Sequence, residues 1–421
     1  MRRLLLLLLI ACAPLPAAAQ TTAFVGARVI DGTGRVLERA TVVVRDGQIE
    51  AVGPDVPVPA GATRVDLTGR TLMPGIVNAH GHVGSTVGLE APRDGYTREN
   101  LLRQLDTYAR YGVTTVFSLG DDQAAGFAVR DEQRAGTPAR ARLFVAGPVI
   151  TGATAAEAAA MADQVAAMHP DLLKIRVDDN LGTSPKMPEA AWRAVLARAA
   201  AHHLPLAVHV FYLADARALV DAGAAFVAHS VRDVPVDRAF AEALTTRGVC
   251  YSPTLTRELS TYVYGGTPDF VDDPFFQAGV TPAIVAALRD PERQAAVRAS
   301  GAYRLGLRYK AALAVASRNL EALAAQGVTI AMGTDSGPPG RFQGYFEHLE
   351  LEMMVDAGLT PMQALVAATG AAARCHGQGD RFGTIAPGRA ADLLVLSANP
   401  LDDIRNTRAI ESVWIAGRRI R

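Results

Sequence analysis

Gly75-Ile76-Val77-Asn78-Ala79-His80-Gly81-His82 decides how this chain is read. Its first five residues form a short run of strand type, and two imidazoles follow at a spacing of i and i+2. Strand side chains alternate between faces, so both rings leave the end of the strand on the same side. Two such nitrogens make half of a metal site. A lone His-x-His arises often by chance, so the reading depends on what the other strands carry to their ends.

Further apolar runs of strand type occur at Val113 to Ser118, Leu143 to Ala146, Leu172 to Val177, Pro205 to His209, Ala225 to His229, Val249 to Ser252 and Val328 to Thr334. Between them lie helical patterns rich in Ala, Leu, Arg and Gln, such as Glu157 to Met168 and Ala190 to His202. Strands alternating with helices predict an α/β fold, and this series predicts a (β/α)8 TIM barrel over residues 74–382. Lys174 interrupts the apolar run Leu172 to Val177, where a lysine must snorkel, pair or do chemistry. His209, His229 and Asp335 each close a different run. Singly, each has a structural explanation. Together they fall at the strand ends where a barrel gathers its catalytic groups.

Short strands with turn punctuation flank the barrel. Arg28-Val29-Ile30 precedes Asp31-Gly32, Thr41 to Val44 precedes Asp46-Gly47, and Ala391 to Leu396 and Ser412 to Ile415 lie at the far end. Asp-Gly between β-branched runs is a hairpin signal. Neither set can form a core alone, so residues 20–73 and 383–421 are expected to build one small β-sandwich from both chain ends. The connection 254–326 is exceptionally long and holds Tyr262, Tyr264, Phe270, Phe275 and Phe276. It is expected to overhang the C-terminal face, either as a substrate lid or as a helical insertion that packs its aromatics inward.

The whole chain has 421 residues, 42 basic against 42 acidic, with 49% hydrophobic. That composition excludes disorder, and zero net charge argues against a nucleic-acid surface. Arg2 and Arg3 precede an apolar run from Leu4 to Ala11, followed by Ala17-Ala18-Ala19, the pattern of a secretory signal peptide over residues 1–19. Cleavage near Ala19 would give a periplasmic or secreted protein. Leu9-Ile10-Ala11-Cys12 offers the alternative of a lipoprotein anchored through Cys12. The run is too short for a stable membrane span. Beyond it, only Cys250 and Cys375 remain, and two isolated cysteines in so long a chain are expected to be buried free thiols, with one bridge the alternative.

With Pro74-Gly75 leading into His80-x-His82, and Lys174, His209, His229 and Gly333-Thr334-Asp335 on successive strands, the chain resembles the metal-dependent amidohydrolase superfamily. The resemblance extends over nearly all of the expected mature chain, to Gly383-Thr384-Ile385-Ala386-Pro387-Gly388-Arg389-Ala390-Ala391-Asp392-Leu393. It is closest to the prolidase-like and imidazolonepropionase-related branch. The resemblance implies two divalent ions, His80, His82 and Asp335 holding one and His209 and His229 the other, with Lys174 bridging them once carbon dioxide has carboxylated its amine. Imidazole and carboxylate ligands suit Zn2+ best. Two close ions lower the pKa of a shared water and polarise a carbonyl. Asp335 is then expected to move the proton to the leaving amine. The substrate would be a small amide: a dipeptide, an acylated amino acid or a cyclic amide.

Arg176, two residues beyond Lys174, is a candidate clamp for a substrate carboxylate or a partner for Asp178. Tyr212 could donate to substrate or pack in its loop. Arg232 and Asp233 could pair with each other. His348 could reach the site or cap its helix, whereas His169, His202, His203 and His376 are assigned no chemistry. Ser336 to Gly340 reads as a stiff turn without a phosphate-loop pattern. Rival readings are a lactonase or phosphoesterase on the same metals, a mononuclear deaminase-like hydrolase, and a metal-free scaffold. The residues leave the oligomeric state open.

Overall fold

The computed structural model describes residues 21–421. The expected signal peptide over residues 1–19, its cleavage near Ala19 and the Cys12 anchor all lie outside the described residues. The described chain is an α/β structure.

Its first strands are β1 (Thr21–Ile30), β2 (Val36–Arg45), β3 (Gln48–Gly53), β4 (Thr63–Asp66) and β5 (Thr71–Pro74). Parallel strands follow: β6 (Ile76–Gly81), β7 (Val113–Ser118), β8 (Arg142–Val145), β9 (Leu173–Val177), β10 (Leu206–Val210), β11 (Phe226–Ala228) and β12 (Cys250–Ser252). The last are β13 (Leu393–Leu396), β14 (Ile410–Ile415) and β15 (Arg418–Arg419).

Strands from both ends of the chain share one sheet, in the order β15-β14-β13-β5-β1-β2-β3, with β4 beside β1. β13 runs antiparallel to β5, pairing Leu394 with Met73 and Val395 with Leu72. Alternation supplies this sheet's apolar layer: Phe24, Val29, Val42, Val44, Leu72, Leu393 and Val395 are buried in one cluster. The pairing places β5, and hence the start of β6, under direct control of the C-terminal segment.

The parallel strands form two sheets, β6-β7-β8 and β9-β10-β11-β12. Each is buried on both faces, one packed against helices and the other against residues of the facing strands, which is why its strands read as unbroken apolar runs. The sheets are linked at both margins. After β8, Ile150 N–H donates to Lys174 O at 2.8 Å and Ile150 bridges Ile175 of β9. At the other margin the segment 328–335 lies between β12 and β6. Ala331 N–H donates to Tyr251 O at 2.9 Å, and Ala79 N–H donates to Met332 O at 2.8 Å.

That segment is not the regular eighth strand expected over Val328 to Thr334, since it makes a single bridge, Tyr251 to Ile330. Its ladder is interrupted because Met332 and Val77 turn their N–H groups to Ala367 O and Ala368 O, each at 2.8 Å, just where the helix Pro361–Ala367 ends. Gly333 permits the close approach: a Cβ there would lie 2.4 Å from Ser252 Oγ and 2.9 Å from His80 N.

The connection 254–326 is helical, ending in the long helix Gly301–Ala325. Its aromatics pack inward. Phe270 and Phe276 are buried with Tyr111, Tyr345 and Phe346 in a cluster of their own. Among the described residues no helix is long and apolar enough to cross a membrane.

Cys250 and Cys375 form a disulfide, correcting the expectation of free thiols. They lie 125 positions apart, so no local pattern signals the pairing. The fold brings the start of β12 against the end of the helix Gly370–Cys375.

Candidate active site

The C-terminal ends of the parallel strands converge on a cleft of about 230 Å³ lined by His80, His82, Lys174, His209, His229 and Asp335, together with Asp121, Arg176, Arg257 and Arg341. Residues spread over most of the chain therefore meet in one place. Asp335 Oδ1 lies 2.8 Å from His82 Nε2 and 3.5 Å from His80 Nε2. Lys174 Nζ lies 3.3 Å from His80 Nε2. The His229 ring sits 4.5 Å from that of His80 and 4.1 Å from that of His209, centroid to centroid.

Two of these residues sit on unusual backbone. His229 has φ 75° and Asp335 φ 55°, the left-handed region that non-glycine residues adopt at a cost of about 1–3 kcal/mol. Each turns sharply out of its strand direction at that point. The Asp335 turn is fixed by Asp335 N–H donating to His80 O at 2.7 Å. Gly337 follows with φ 117°, where a Cβ would collide with His82 O at 2.1 Å.

A buried polar network holds β6 to the Asp335 turn. Glu347 is fully buried and accepts from Asn78 Nδ2 at 2.7 Å, Thr334 Oγ1 at 2.8 Å, Ser336 Oγ at 2.6 Å and Gly344 N–H at 2.6 Å. Asn78 Oδ1 accepts in turn from His80 N–H at 3.0 Å, and Tyr108 Oη lies 2.7 Å from Ser336 Oγ. In the low dielectric of the interior such a network rigidifies what it touches.

The donor set fits a divalent metal. A histidine ligand characteristically commits one ring nitrogen to a protein partner and offers the other. His82 Nδ1 is 3.1 Å from Gly120 O, His209 Nε2 is 2.9 Å from Asp178 Oδ2, and His229 Nδ1 is 2.7 Å from Thr254 Oγ1. His209 and His229 thus keep the opposite nitrogen to spare, and His82 turns its own toward the Asp335 carboxylate. His80 Nδ1 is buried and has no hydrogen-bond partner among the described residues. His80, His82 and Asp335 place one ligand atom each within 4.8 Å of one another, a grouping that could hold an ion.

The electrostatics favour the donor forms of His80, His209 and Asp335 and part of Lys174, but the charged form of His82. Burial, then Lys174, holds His80 well below the usual imidazole range, and burial likewise takes His209 to about 3. Burial opposes the charged form of His82 too, but the hydrogen bond with Asp335 and the charge of that carboxylate together outweigh it and raise His82. Burial opposes ionisation of Asp335, yet Arg341 and the two imidazoles prevail and keep its carboxyl well below the usual range. Burial lowers the Lys174 amine to about 8, which leaves a share of it neutral and nucleophilic near physiological pH.

The weaker candidates separate. Arg176 lines the cleft but is tied to Asn180 Oδ1 and lies 3.6 Å from Asp178 Oδ2. Tyr212 is absent from the cleft lining; its hydroxyl donates to Asp179 Oδ1 at 2.8 Å and its ring lies under Lys186. His348 points away, Nε2 lying 2.8 Å from Tyr111 O and Nδ1 2.9 Å from Thr407 Oγ1. Successive helical residues are rotated by about 100°, so it is Glu347, one position earlier, that faces the site. Arg232 pairs with Glu258 at 2.9 Å and not with Asp233, whose carboxylate accepts from Leu213 N–H. Arg257 and Arg341 had not been singled out in the sequence. Their one signal is position, in the segments that follow the seventh and eighth apolar runs.

Residues 71–420 match the model of the Amidohydrolase family, and the chain belongs to that family. Among solved structures it resembles a putative prolidase from Bifidobacterium longum, with 24% identity over 95% of this chain and 94% of that one and a TM-score of 0.75. It also resembles a Xaa-Pro dipeptidase with methionine bound in its active site, with 22% identity, 95% and 99% coverage and a TM-score of 0.74. Among curated proteins, ochratoxinase of Aspergillus niger is 39% identical over 97 residues, which is 22% of this chain but 19% of that protein's length.

Proposed function

We propose that this chain is an exported metal-dependent amidohydrolase that cleaves a C–N bond in a small amide, peptide or cyclic amide. The reading includes a closed (β/α)8 barrel, with residues 328–335 as its eighth staff, carrying a β-domain assembled from both chain ends. Its central support is the convergence of His80, His82 and Asp335 beside Lys174, His209 and His229. In this reading those residues, with Lys174 carboxylated, would hold two divalent ions, and their imidazole and carboxylate donors suit Zn2+. When bound, such ions lower the pKa of water and polarise a carbonyl. Export is supported by the Cys250–Cys375 disulfide, since such bonds persist in oxidising compartments.

The chain's own residues have the following tasks. Carbon dioxide adds to the neutral Lys174 amine, which loses a proton and becomes a two-oxygen anion. Asp335 is ionised at neutral pH and is positioned by Arg341, so its carboxylate can accept a proton as water attacks and deliver it to the departing amine nitrogen. The Glu347 network holds the turn that presents it.

Metal analysis of wild type and Lys174→Ala, purified in bicarbonate, tests the reading. About two ions per chain, falling to one or none in the variant with loss of activity, is the expected result. One ion in both would favour the mononuclear alternative, which the compact His80/His82/Asp335 group could serve alone. None in either would return the scaffold. A panel of dipeptides, N-acyl amino acids and cyclic amides against esters and phosphoesters tests the bond, and turnover of esters alone would reject C–N cleavage.

A further inference from the structure

Beside the metal-competent cluster, the C-terminal face carries a second cavity of about 480 Å³, more than twice the volume of the cleft. It lies between the segment after β8 and the segment after β9, and it adjoins the cleft. Arg176 lines both, and the consecutive residues Val149 and Ile150 line one each. Its wall includes Ile150, Ala153, Pro185, Met187 and Pro188. The polar side chains around it already have protein partners. Asp178 accepts from Asn180 N–H at 2.9 Å and lies 2.9 Å from His209 Nε2, Asn180 Nδ2 donates to Ser184 Oγ at 3.0 Å, and Lys186 Nζ donates to Asp215 Oδ2 at 2.6 Å. Arg176 is held by Asn180, although its Nε has no partner among the described residues. What the cavity offers a ligand is therefore mostly carbon surface.

The outer wall is braced from within the protein. Asn180, Leu181 and Gly182 run in succession through the left-handed region, with φ 52°, 59° and 83°. Two of the three are not glycine, so the turn persists only because its surroundings hold it. Asp179 Oδ1 accepts from Gly182 N–H at 3.0 Å, Arg308 Nη1 donates to Leu181 O at 3.1 Å, and the Leu181 side chain packs with Phe211 and Tyr309. A preformed, carbon-lined cavity of this size is of the kind that takes a small-molecule group, and a fixed wall spares the cost of ordering it on binding.

We infer that this cavity is a specificity subsite that takes a bulky apolar substituent of the substrate, an alkyl chain or an aryl group attached to one side of the scissile amide. The inference rests on the hydrolase reading for the bond that such a substituent flanks, but not for its capture. With the carbonyl at the His80, His82 and Asp335 group, a substituent directed past Arg176 leaves the cleft and enters the cavity. Met187, unbranched and polarizable, adapts to either shape.

Two ladders of ligands test it. N-acetyl-, N-butyryl-, N-hexanoyl- and N-octanoylglycine lengthen the acyl side, and N-acetylated glycine, alanine, leucine and phenylalanine enlarge the amine side. The free carboxylate common to all of them drops out of every comparison. Binding is measured by calorimetry on the metal-loaded Asp335→Asn protein, and kcat/KM on the active enzyme. Each is repeated with Ala153→Phe, which places a ring in the cavity, and with Ala156→Phe, which places the same ring outside it on the exposed start of the following helix. In the ladder whose substituent enters, affinity and kcat/KM should rise about two- to fourfold per added methylene, the gain expected from burying such a group. Ala153→Phe should remove most of that rise, and Ala156→Phe should leave it intact. Ala153 is exposed, so the added ring should not disturb folding, which melting temperatures check. Met187→Ala strips one wall and, as a second variant, should lower the gain per methylene. The ladder that responds identifies the side of the amide that enters. A flat response in both ladders, or a rise that survives Ala153→Phe and Met187→Ala, overturns the inference. A rise in binding without turnover of any member would retain it and reject the hydrolase reading instead.

Discussion

Removing the Cys250–Cys375 bridge tests how the chain is held together independently of its chemistry. The bridge closes a loop of 125 positions. With the loop-closure relation ΔS ≈ −2.1 − 1.5R ln n, such a loop loses about 16–17 cal/mol/K in the unfolded state, or about 5 kcal/mol at 25 °C. Residual structure in the unfolded chain lowers this, so about 3–5 kcal/mol is expected. Against a guanidinium slope of about 6 kcal/mol/M or more for so large a chain, the unfolding midpoint should fall by roughly 0.5–0.8 M. The assay is guanidinium unfolding of the oxidised protein, the reduced protein and Cys250→Ala/Cys375→Ala, followed by circular dichroism. Cys250 opens β12, whereas His229 and Asp335 lie beyond the opposite ends of their strands, so metal content and kcat/KM should survive in the folded variant. An unchanged midpoint on reduction would refute the reasoning, and loss of metal at unchanged stability would show that the bridge acts on the site.

Other outcomes follow from the site. Glu347→Ala should cost about 2–4 kcal/mol, because it strands the donors of Asn78, Thr334, Ser336 and Gly344 in the interior, and it should lower metal content; calorimetry and metal analysis check this. Gly333→Ala forces a methyl against Ser252 and His80, so a loss of about 1–3 kcal/mol and impaired metal binding are expected from the same measurements. Tyr212→Phe should leave KM within about twofold, since its hydroxyl serves Asp179; a tenfold rise would put the ring in the substrate site. Burial raises Asp122 to about 7 from an ordinary 3.8. The folded state then holds the proton more tightly than the unfolded one, so this group's contribution is full below about pH 4 and is lost as pH rises through about 7. Asp122→Asn should flatten the stability–pH curve between those values, and an unchanged slope would remove Asp122 as its source.

The candidate cluster was legible because strand periodicity is local. His80 and His82 share a side through the two-residue repeat, and Lys174, His209 and His229 lie in or at the end of runs whose apolar character is independent of the rest of the chain. The same logic located β6, β7, β9 and β10 closely and failed at residues 328–334. There the run is apolar, but one of its own amides, Met332, and that of Val77 in the neighbouring strand bond to a helix end, a competition that no local pattern contains. His348 failed for a related reason: its type suggested chemistry, whereas helix rotation gave the site-facing position to Glu347.

What the sequence alone determined was the alternation of apolar strands and helices and the presence of metal-competent side chains at strand ends, because both depend on spacings of a few residues. The tertiary structure alone decided the partners: Cys375 for Cys250, Glu258 for both Arg232 and Arg257, Arg341 for Asp335, and Glu347 for the turn beneath the cleft. Pairing energy depends on distance in space and on exclusion of water. Neither quantity exists until the chain has closed upon itself.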